Sequence, residues 1–255
     1  MTDTIRFGVI GTGGMAQGHI ERLLKMPDVE VAGFADISDQ SLTRTREKHG
    51  AAVADVPTYH DYREMLEKAH LDALLIATPH TLHYQMAVDS LDAGAHVLLE
   101  KPMATSEDDC RAISAAADST GAKLLIAYRL HFEPATLEAI RMVRAGELGK
   151  ARLFTSAFTQ LVAKTNHRAK HGFWAGPVAD MGPYPINAVR NLFGAEPTEV
   201  MAWGQRHKEF GFDFDDTVSV LLRFPGDRMA QFTVAYGLNA HNHYRVHGTD
   251  GDLLV

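Results

Sequence analysis

The stretch G-V-I-G-T-G-G-M-A-Q-G-H-I, Gly8 to Ile20, decides the fold. It closes an apolar run that reads as a buried strand, then sets Gly11, Gly13 and Ala16 in a G-x-G-x-x-A spacing where a helix begins. Small residues there let the backbone approach a pyrophosphate. The first N–H groups of the helix, which lack partners inside it, stabilise the negative charge. Thr12, Gly14 and Met15 fill the same turn and join the candidate cofactor-binding set. Asp36 gives the motif weight: it lies 20 residues beyond Ala16, after a second strand-like run, where a carboxylate can accept hydrogen bonds from ribose hydroxyls. That carboxylate also repels a 2′-phosphate, which favours NAD over NADP. Arg44 and Arg46 on the following helix leave NADP open, since a basic side chain folding back can accommodate the phosphate.

Outward from this stretch, short β-branched runs (IRFGVI, VEVAGFA, LDALLIAT, AHVLLE, AKLLIAY) alternate with helical patterns over 15–26, 39–49, 62–69, 82–93 and 106–120. Such alternation predicts a parallel sheet covered on both faces. Past about residue 127 the texture changes. A helix over 134–145 is followed by longer strands, ARLFTSAFTQ, PTEVMAWGQRH, DTVSVLLRF, RMAQFTVAYG and YRVHG, with one intervening helix over 184–193. The reading is an α/β Rossmann domain over residues 1–126 and an α+β domain with an open, mainly antiparallel sheet over 127–255.

Composition narrows the function classes. A chain of 255 residues with 45% hydrophobic content can fill such cores. Its 25 basic and 32 acidic side chains leave a net charge of −7 with no Lys/Arg-rich run, which argues against nucleic acid as a partner. The N-terminus enters a strand directly and no apolar run approaches membrane-spanning length, so a cytoplasmic protein with no membrane partner is expected. The single cysteine, Cys110, cannot form an internal disulfide and reads as a helix residue without chemistry.

Four segments, FGVIGTGGMA, LLIATPHTLHYQMAVDSLDAGAHVLLEKPMATS, AYRLHFEP and DMGPYPINAVRNLFG, make the chain resemble the glucose–fructose oxidoreductase and inositol dehydrogenase family of nicotinamide-dependent sugar oxidoreductases. The resemblance implies a Rossmann domain, a substrate domain on an open antiparallel sheet, and an active site in the cleft between them. In a doubly wound sheet, residues that end a strand face the ligand cleft, so Glu100-Lys101-Pro102 and Thr78-Pro79 are cleft features. By resemblance Lys101 reaches the reacting carbon's oxygen, Glu100 helps fix the cofactor and Pro102 holds the turn. Thr78 and Pro79 line the cofactor pocket. His83 is grouped with them as a residue that packs or caps its helix rather than reacting.

Asp180 and Tyr184 are four apart and share one face if a helix begins near Asp180. The resemblance implies a histidine base at this position in many family members; this chain has Tyr184 instead, a departure it shares with the glucose–fructose oxidoreductase branch. A phenol with an ordinary pKa near 10 needs a stabilising cation, and Lys101 is the available one. Tyr128 is a second acid/base candidate. Arg129, Trp174, Arg168 and one of His167 and His171 are candidates for the sugar site. The pairs His167/His171 and His241/His243 lack an accompanying acidic or cysteine ligand, so no metal is expected.

The expected activity is NAD(P)-dependent oxidation or reduction of a sugar, polyol or related cyclic alcohol. The alternative is a cofactor-binding protein with a regulatory or assembly role. Family members usually continue beyond the position of Val255, so the second domain is expected to lack their C-terminal portion. A homodimer or homotetramer is expected through the uncovered sheet face, on apolar positions in VSVLLRF and AQFTVAY.

Overall fold

The computed structural model describes residues 4–163 and 172–255. The chain divides into two compact units, Met1–Ala127 and Tyr128–Val255. In the first, β1 (Ile5–Ile10), β2 (Val29–Ala35), β3 (Thr58–Tyr59), β4 (Ala73–Ile76), β5 (His96–Leu99) and β6 (Leu124–Ile126) form a six-stranded sheet in the order β3-β2-β1-β4-β5-β6. Every pair is parallel. Strand order reverses between β1 and β4, the switch point beyond which such sheets bind ligands. The two-residue β3 carries no apolar run and was not expected.

Period-two alternation sends neighbouring side chains to opposite faces. Val9 and Leu75 pack with Ala16 and Ile20 of α1 (Gly14–Leu23) and Leu42 of α2 (Asp39–His49). Ile10, Leu74 and Ile76 pack with Met65 of α3 (Tyr62–Lys68), Leu91 of α4 (His83–Asp92) and Ile113 of α5 (Glu107–Thr120). Each fully buried side chain of this size contributes about 1.5–3 kcal/mol relative to exposure. Helix starts are written locally. Ser38 accepts from Ser41 N at 3.3 Å ahead of α2, and Ser106 from Asp109 N at 3.1 Å ahead of α5, whose first turn is all acidic. In α1 the cap position is Gly13, with no side-chain acceptor and no acid in the first turn.

The second unit contains α6 (Pro134–Arg144), β7 (Leu153–Gln160), α7 (Pro177–Met181), α8 (Pro183–Phe193), β8 (Glu199–Gln205), β9 (Thr217–Phe224), β10 (Arg228–Tyr236), β11 (His241–His247) and β12 (Asp252–Leu254). Its sheet runs β12-β11-β7-β10-β9-β8 and is antiparallel except for the central pair β7/β10. Phe154, Phe158, Val220, Phe232, Val234 and Tyr236 form one buried face with Ala139 of α6 and Val189, Leu192 and Phe193 of α8.

Two expectations are corrected here. The apolar residues of VSVLLRF and AQFTVAY that alternate inward (Val218, Val220, Leu222, Phe232, Val234) belong to this helix-covered core. The other face carries Ser219, Leu221, Arg223, Gln231 and Thr233. The largest exposed apolar side chains of the sheet lie on its edge strand β8: Val200, Met201 and Trp203. Nor is there one helix through Asp180 and Tyr184, because α7 ends at Met181 and α8 starts at Pro183. A proline can open a helix, where its missing N–H needs no partner, and it does so here.

Among the described residues, no helix is long and apolar enough to cross a membrane. Burial pushes the Cys110 thiol pKa up, with Asp109 and Glu107 acting in the same sense, away from the reactive thiolate.

Candidate active site

In the first unit the paired register ends at Ile10–Ala35, Ile10–Ile76 and Ile76–Leu99, so Gly11, Asp36, Ala77 and Glu100 stand together one residue beyond the last rungs. Gly11 has φ +84°, and a Cβ there would lie 2.7 Å from Ala77 O, so no larger residue fits this turn. A Cβ on Gly13 or Gly14 would meet nothing within 4 Å. Open ground thus lies beside the uncapped N-terminus of α1, the arrangement that suits a pyrophosphate.

Thr12 and Asp36 meet: Asp36 Oδ2 accepts from Thr12 N at 2.8 Å and Thr12 Oγ1 at 3.0 Å, while Oδ1 accepts from Ser38 N at 2.9 Å. A carboxylate offers about four acceptor sites, so Asp36 is oriented yet keeps capacity for a ribose hydroxyl. Gln17, which the sequence reading did not single out, is buried and donates to Thr12 O at 2.8 Å and Thr45 Oγ1 at 2.9 Å, tying the glycine turn to α2. Arg46 donates to Ala54 O at 2.7 Å and Val56 O at 3.1 Å, so its guanidinium is engaged with a neighbouring loop. Met15 is exposed and Ala16 fully buried.

Beyond β5, Glu100 and Lys101 are buried, 8% and 5% exposed. Charged groups seldom occupy such positions without a structural or chemical reason. Glu100 Oε1 lies 2.8 Å from His19 Nε2 on α1, and Oε2 accepts from Lys101 N at 3.1 Å. The Lys101–Pro102 peptide is cis. His19 was missed, although it follows the glycine motif on the same helix as Ala16. Thr78 Oγ1 lies 3.4 Å from Met86 Sδ, and Pro79 precedes a 3-10 turn, His80–Leu82. His83 is the first residue of α4, and it is completely buried.

In the second unit Asp180 is 5% exposed. Its Oδ2 accepts from Gln160 Nε2 at 3.0 Å and lies 3.0 Å from the hydroxyl of Tyr236, which is equally near Ala175 O. Gln160 and Tyr236 end β7 and β10, and both were missed. The legible signal was Tyr236's inward parity, since a buried phenol needs a hydrogen-bond partner. Tyr184 stacks on Phe158 with centroids 5.5 Å apart and planes at 12°, and the Arg129 guanidinium lies 5.9 Å from its ring centre. Arg129 is therefore a cation beside Tyr184 within the same unit. Tyr128 lies against His131 at 5.6 Å between ring centroids, and Trp174 is edge-on to Phe173 at 5.3 Å. His167, Arg168 and His171 lie outside the described residues. The His241 and His243 rings are 4.6 Å apart, and among the described residues no group of three or more His, Cys, Asp or Glu is arranged to hold a metal.

Residues 5–128 match the model of an oxidoreductase family with an NAD-binding Rossmann fold, and residues 136–254 match a GFO/IDH/MocA C-terminal domain. The chain is 31% identical over 256 residues to trans-1,2-dihydrobenzene-1,2-diol dehydrogenase of Bos taurus, covering 97% of this chain and 72% of that protein. It is 30% identical over 253 residues to D-xylose 1-dehydrogenase (NADP(+)) 2 of Haloferax volcanii, covering 97% and 74%. Among solved structures, aldose-aldose oxidoreductase from Caulobacter crescentus complexed with glycerol superposes with a TM-score of 0.86 at 28% identity, covering 98% of this chain and 76% of that one.

Proposed function

Because the chain belongs to the GFO/IDH/MocA family of oxidoreductases, with its NAD-binding Rossmann fold, we propose that it transfers hydride between NAD and the carbinol carbon of a sugar, polyol or related cyclic alcohol. The observation that carries this reading is the buried Lys101 at the carboxyl end of β5, in the unit whose open glycine turn and oriented Asp36 suit a dinucleotide. Relatives named for a diol and for xylose support the substrate class.

NAD, when bound, accepts the hydride released from the carbinol carbon. Gly11, Thr12, Gly13, Gly14, Met15 and Ala16 would hold its pyrophosphate and Asp36 its ribose, with Thr78, Pro79 and Glu100 at the neighbouring strand ends. Lys101 would donate to the substrate's carbinol oxygen. Asp180, steadied by Gln160, would orient a substrate hydroxyl. The hydroxyl proton passes to Tyr184 in the oxidation and returns from it in the reduction. Arg129 and Trp174 would contact the substrate. NAD is favoured over NADP because Asp36 presents negative charge and Arg46 is held elsewhere. A cytoplasmic site of action agrees with the lone, unactivated cysteine.

The test is turnover, followed by nicotinamide absorbance, with NAD or NADP and a panel of D-xylose, myo-inositol, scyllo-inositol and related diols. Lys101→Met should lower kcat on the order of a hundredfold with cofactor affinity nearly unchanged. Tyr184→Phe should do likewise; if Tyr128→Phe does so instead, Tyr128 is the acid/base. Tight NAD binding with no turnover on any member of the panel would point to a cofactor-binding protein without catalysis.

A further inference from the structure

Pairing between β4 and β5 stops at Ile76–Leu99, with Glu100 N donating to Ile76 O at 2.9 Å. The two chains then run on as Ala77-Thr78-Pro79 and Lys101-Pro102, and prolines cannot donate to a ladder. Buried carbonyls at such a place need a donor from elsewhere. His83 stands between them: Nδ1 lies 2.8 Å from Pro102 O and Nε2 lies 3.0 Å from Thr78 O. Its imidazole therefore forms one further rung past the end of the ladder, made by a side chain. On the other side of Lys101, the backbone N–H is taken by Glu100, itself engaged by His19.

We propose that His83 is a positioning residue for Lys101, its ring set between the strand ends after β4 and β5 and hydrogen-bonded to at least one of them, so that the lysine is presented from a fixed backbone. This rests on the reading of Lys101 as catalytic. Carbonyls only accept, so each contact requires an N–H on the ring: the imidazolium serves both, and a neutral tautomer serves one. Burial pushes the His83 pKa below the ordinary histidine value, while the carbonyls of Pro102 and Thr78 and the Glu100 carboxylate act in the opposite sense. In either protonation state the ring holds at least one of the two strand ends. No other side chain of this size presents two opposed nitrogens to two carbonyls.

The experiment compares His83→Leu, which removes both ring nitrogens, with His83→Gln, which keeps an amide. Folding is checked by a cooperative melt. In the full chain without cofactor, Lys101 is labelled with acetic anhydride against Lys25 and Lys123 and read by mass spectrometry. His83→Leu should raise labelling at Lys101 on the order of tenfold, with the reference lysines unchanged, through freer local opening. His83→Gln should restore part of the protection. In turnover with the best panel substrate, His83→Leu should lower kcat on the order of tenfold with NAD affinity within a few-fold, and should add little on a Lys101→Met background, because residues that act through one another are not additive. Unchanged labelling in folded His83→Leu, or losses that multiply with Lys101→Met, overturn the proposal. If His83→Leu does not fold, His83→Gln decides by the same readings. Should Lys101→Met keep full turnover, the catalytic reading of Lys101 falls, and the labelling still decides whether His83 positions it.

Discussion

Two glycines two positions apart in the same motif should respond differently to one added methyl group. At Gly11 the backbone has φ +84°, which costs an L-residue about 1–2 kcal/mol. The new Cβ would also sit 2.7 Å from Ala77 O, a main-chain atom that cannot rotate away. Overpacking adds about 1–3 kcal/mol, so Gly11→Ala should destabilise the first unit by about 2–5 kcal/mol. At about 2–4 °C per kcal/mol, the melt should fall by roughly 4–20 °C. Gly13 has φ −65° and ψ −173°, accessible to alanine, and its Cβ would meet nothing within 4 Å. Gly13→Ala should therefore leave the free protein's stability within about 1 kcal/mol, the gain from a less flexible unfolded chain being offset by alanine's poorer fit at the N-cap of α1.

The ground that Cβ would occupy is the ground assigned to the pyrophosphate. Displacing a bound phosphate by one methyl costs about 1–3 kcal/mol, which corresponds to a Kd for NAD raised about 5- to 150-fold. Calorimetric melts of the two variants and isothermal titration with NAD separate the effects: Gly11→Ala loses stability, Gly13→Ala loses affinity alone. A Gly13→Ala protein that binds NAD as tightly as its parent refutes the placement of the cofactor. A Gly11→Ala protein with an unchanged melt refutes the account of the turn.

Three further outcomes are expected. Asp36→Ser should narrow the preference for NAD over NADP on the order of tenfold by removing like-charge repulsion, read by paired titrations; equal affinities in the unaltered protein count against the assignment. The hydrogen bond to buried Asp216, with the Coulomb attraction of that carboxylate and of Glu209, raises the His207 pKa. A raised folded-state pKa gives stability fully present below the unfolded value near 6.5 and lost as pH rises through the folded one, so the second unit's melt should decline above about pH 6.5 and His207→Gln should flatten that decline. Self-association should run through the exposed β8 residues Val200, Met201 and Trp203, giving a dimeric or tetrameric mass by light scattering that Trp203→Ser lowers; a monomeric parent at micromolar concentration sinks this.

The fold was legible where a local rule dictates structure. Five of the six parallel strands and the glycine turn follow from periodicity and small-residue spacing, all readable within a few residues. What was missed depends on pairing across the chain. The two residues of β3 become a strand only by adding to β2. The parallel contact between β7 and β10 joins segments with α7, α8, β8 and β9 between them, and it breaks the antiparallel rule that adjacent strands suggest. The reading of the uncovered sheet face held for Leu221 and failed by parity for the other large apolar residues of VSVLLRF and AQFTVAY. Apolar positions were counted without deciding which side they point to, and a period of two makes that decision the whole answer.

The candidate site shows the same division in its chemistry. Asp36, Glu100 and Lys101 were legible because a charge directly after an apolar strand is conspicuous. Their supports, Gln17, His19 and Gln160, were not, because a polar residue on a helix or at a strand end is common and its partner lies elsewhere in the chain. Those supports are needed for a physical reason. The sheet ends at Ile10, Ile76 and Leu99, so beyond that level main-chain pairing no longer satisfies buried polar groups. Thr12 and Ser38 supply donors to Asp36, His19 engages Glu100, and His83 reaches the carbonyls of Thr78 and Pro102. Each is a side chain from a neighbouring turn or helix doing what a further strand residue would have done, which holds the strand ends beyond the last rungs. On the proposed role of Lys101, its presentation depends less on the sheet than on the few side chains that continue it, and these are the positions at which substitution should alter turnover before it alters the fold.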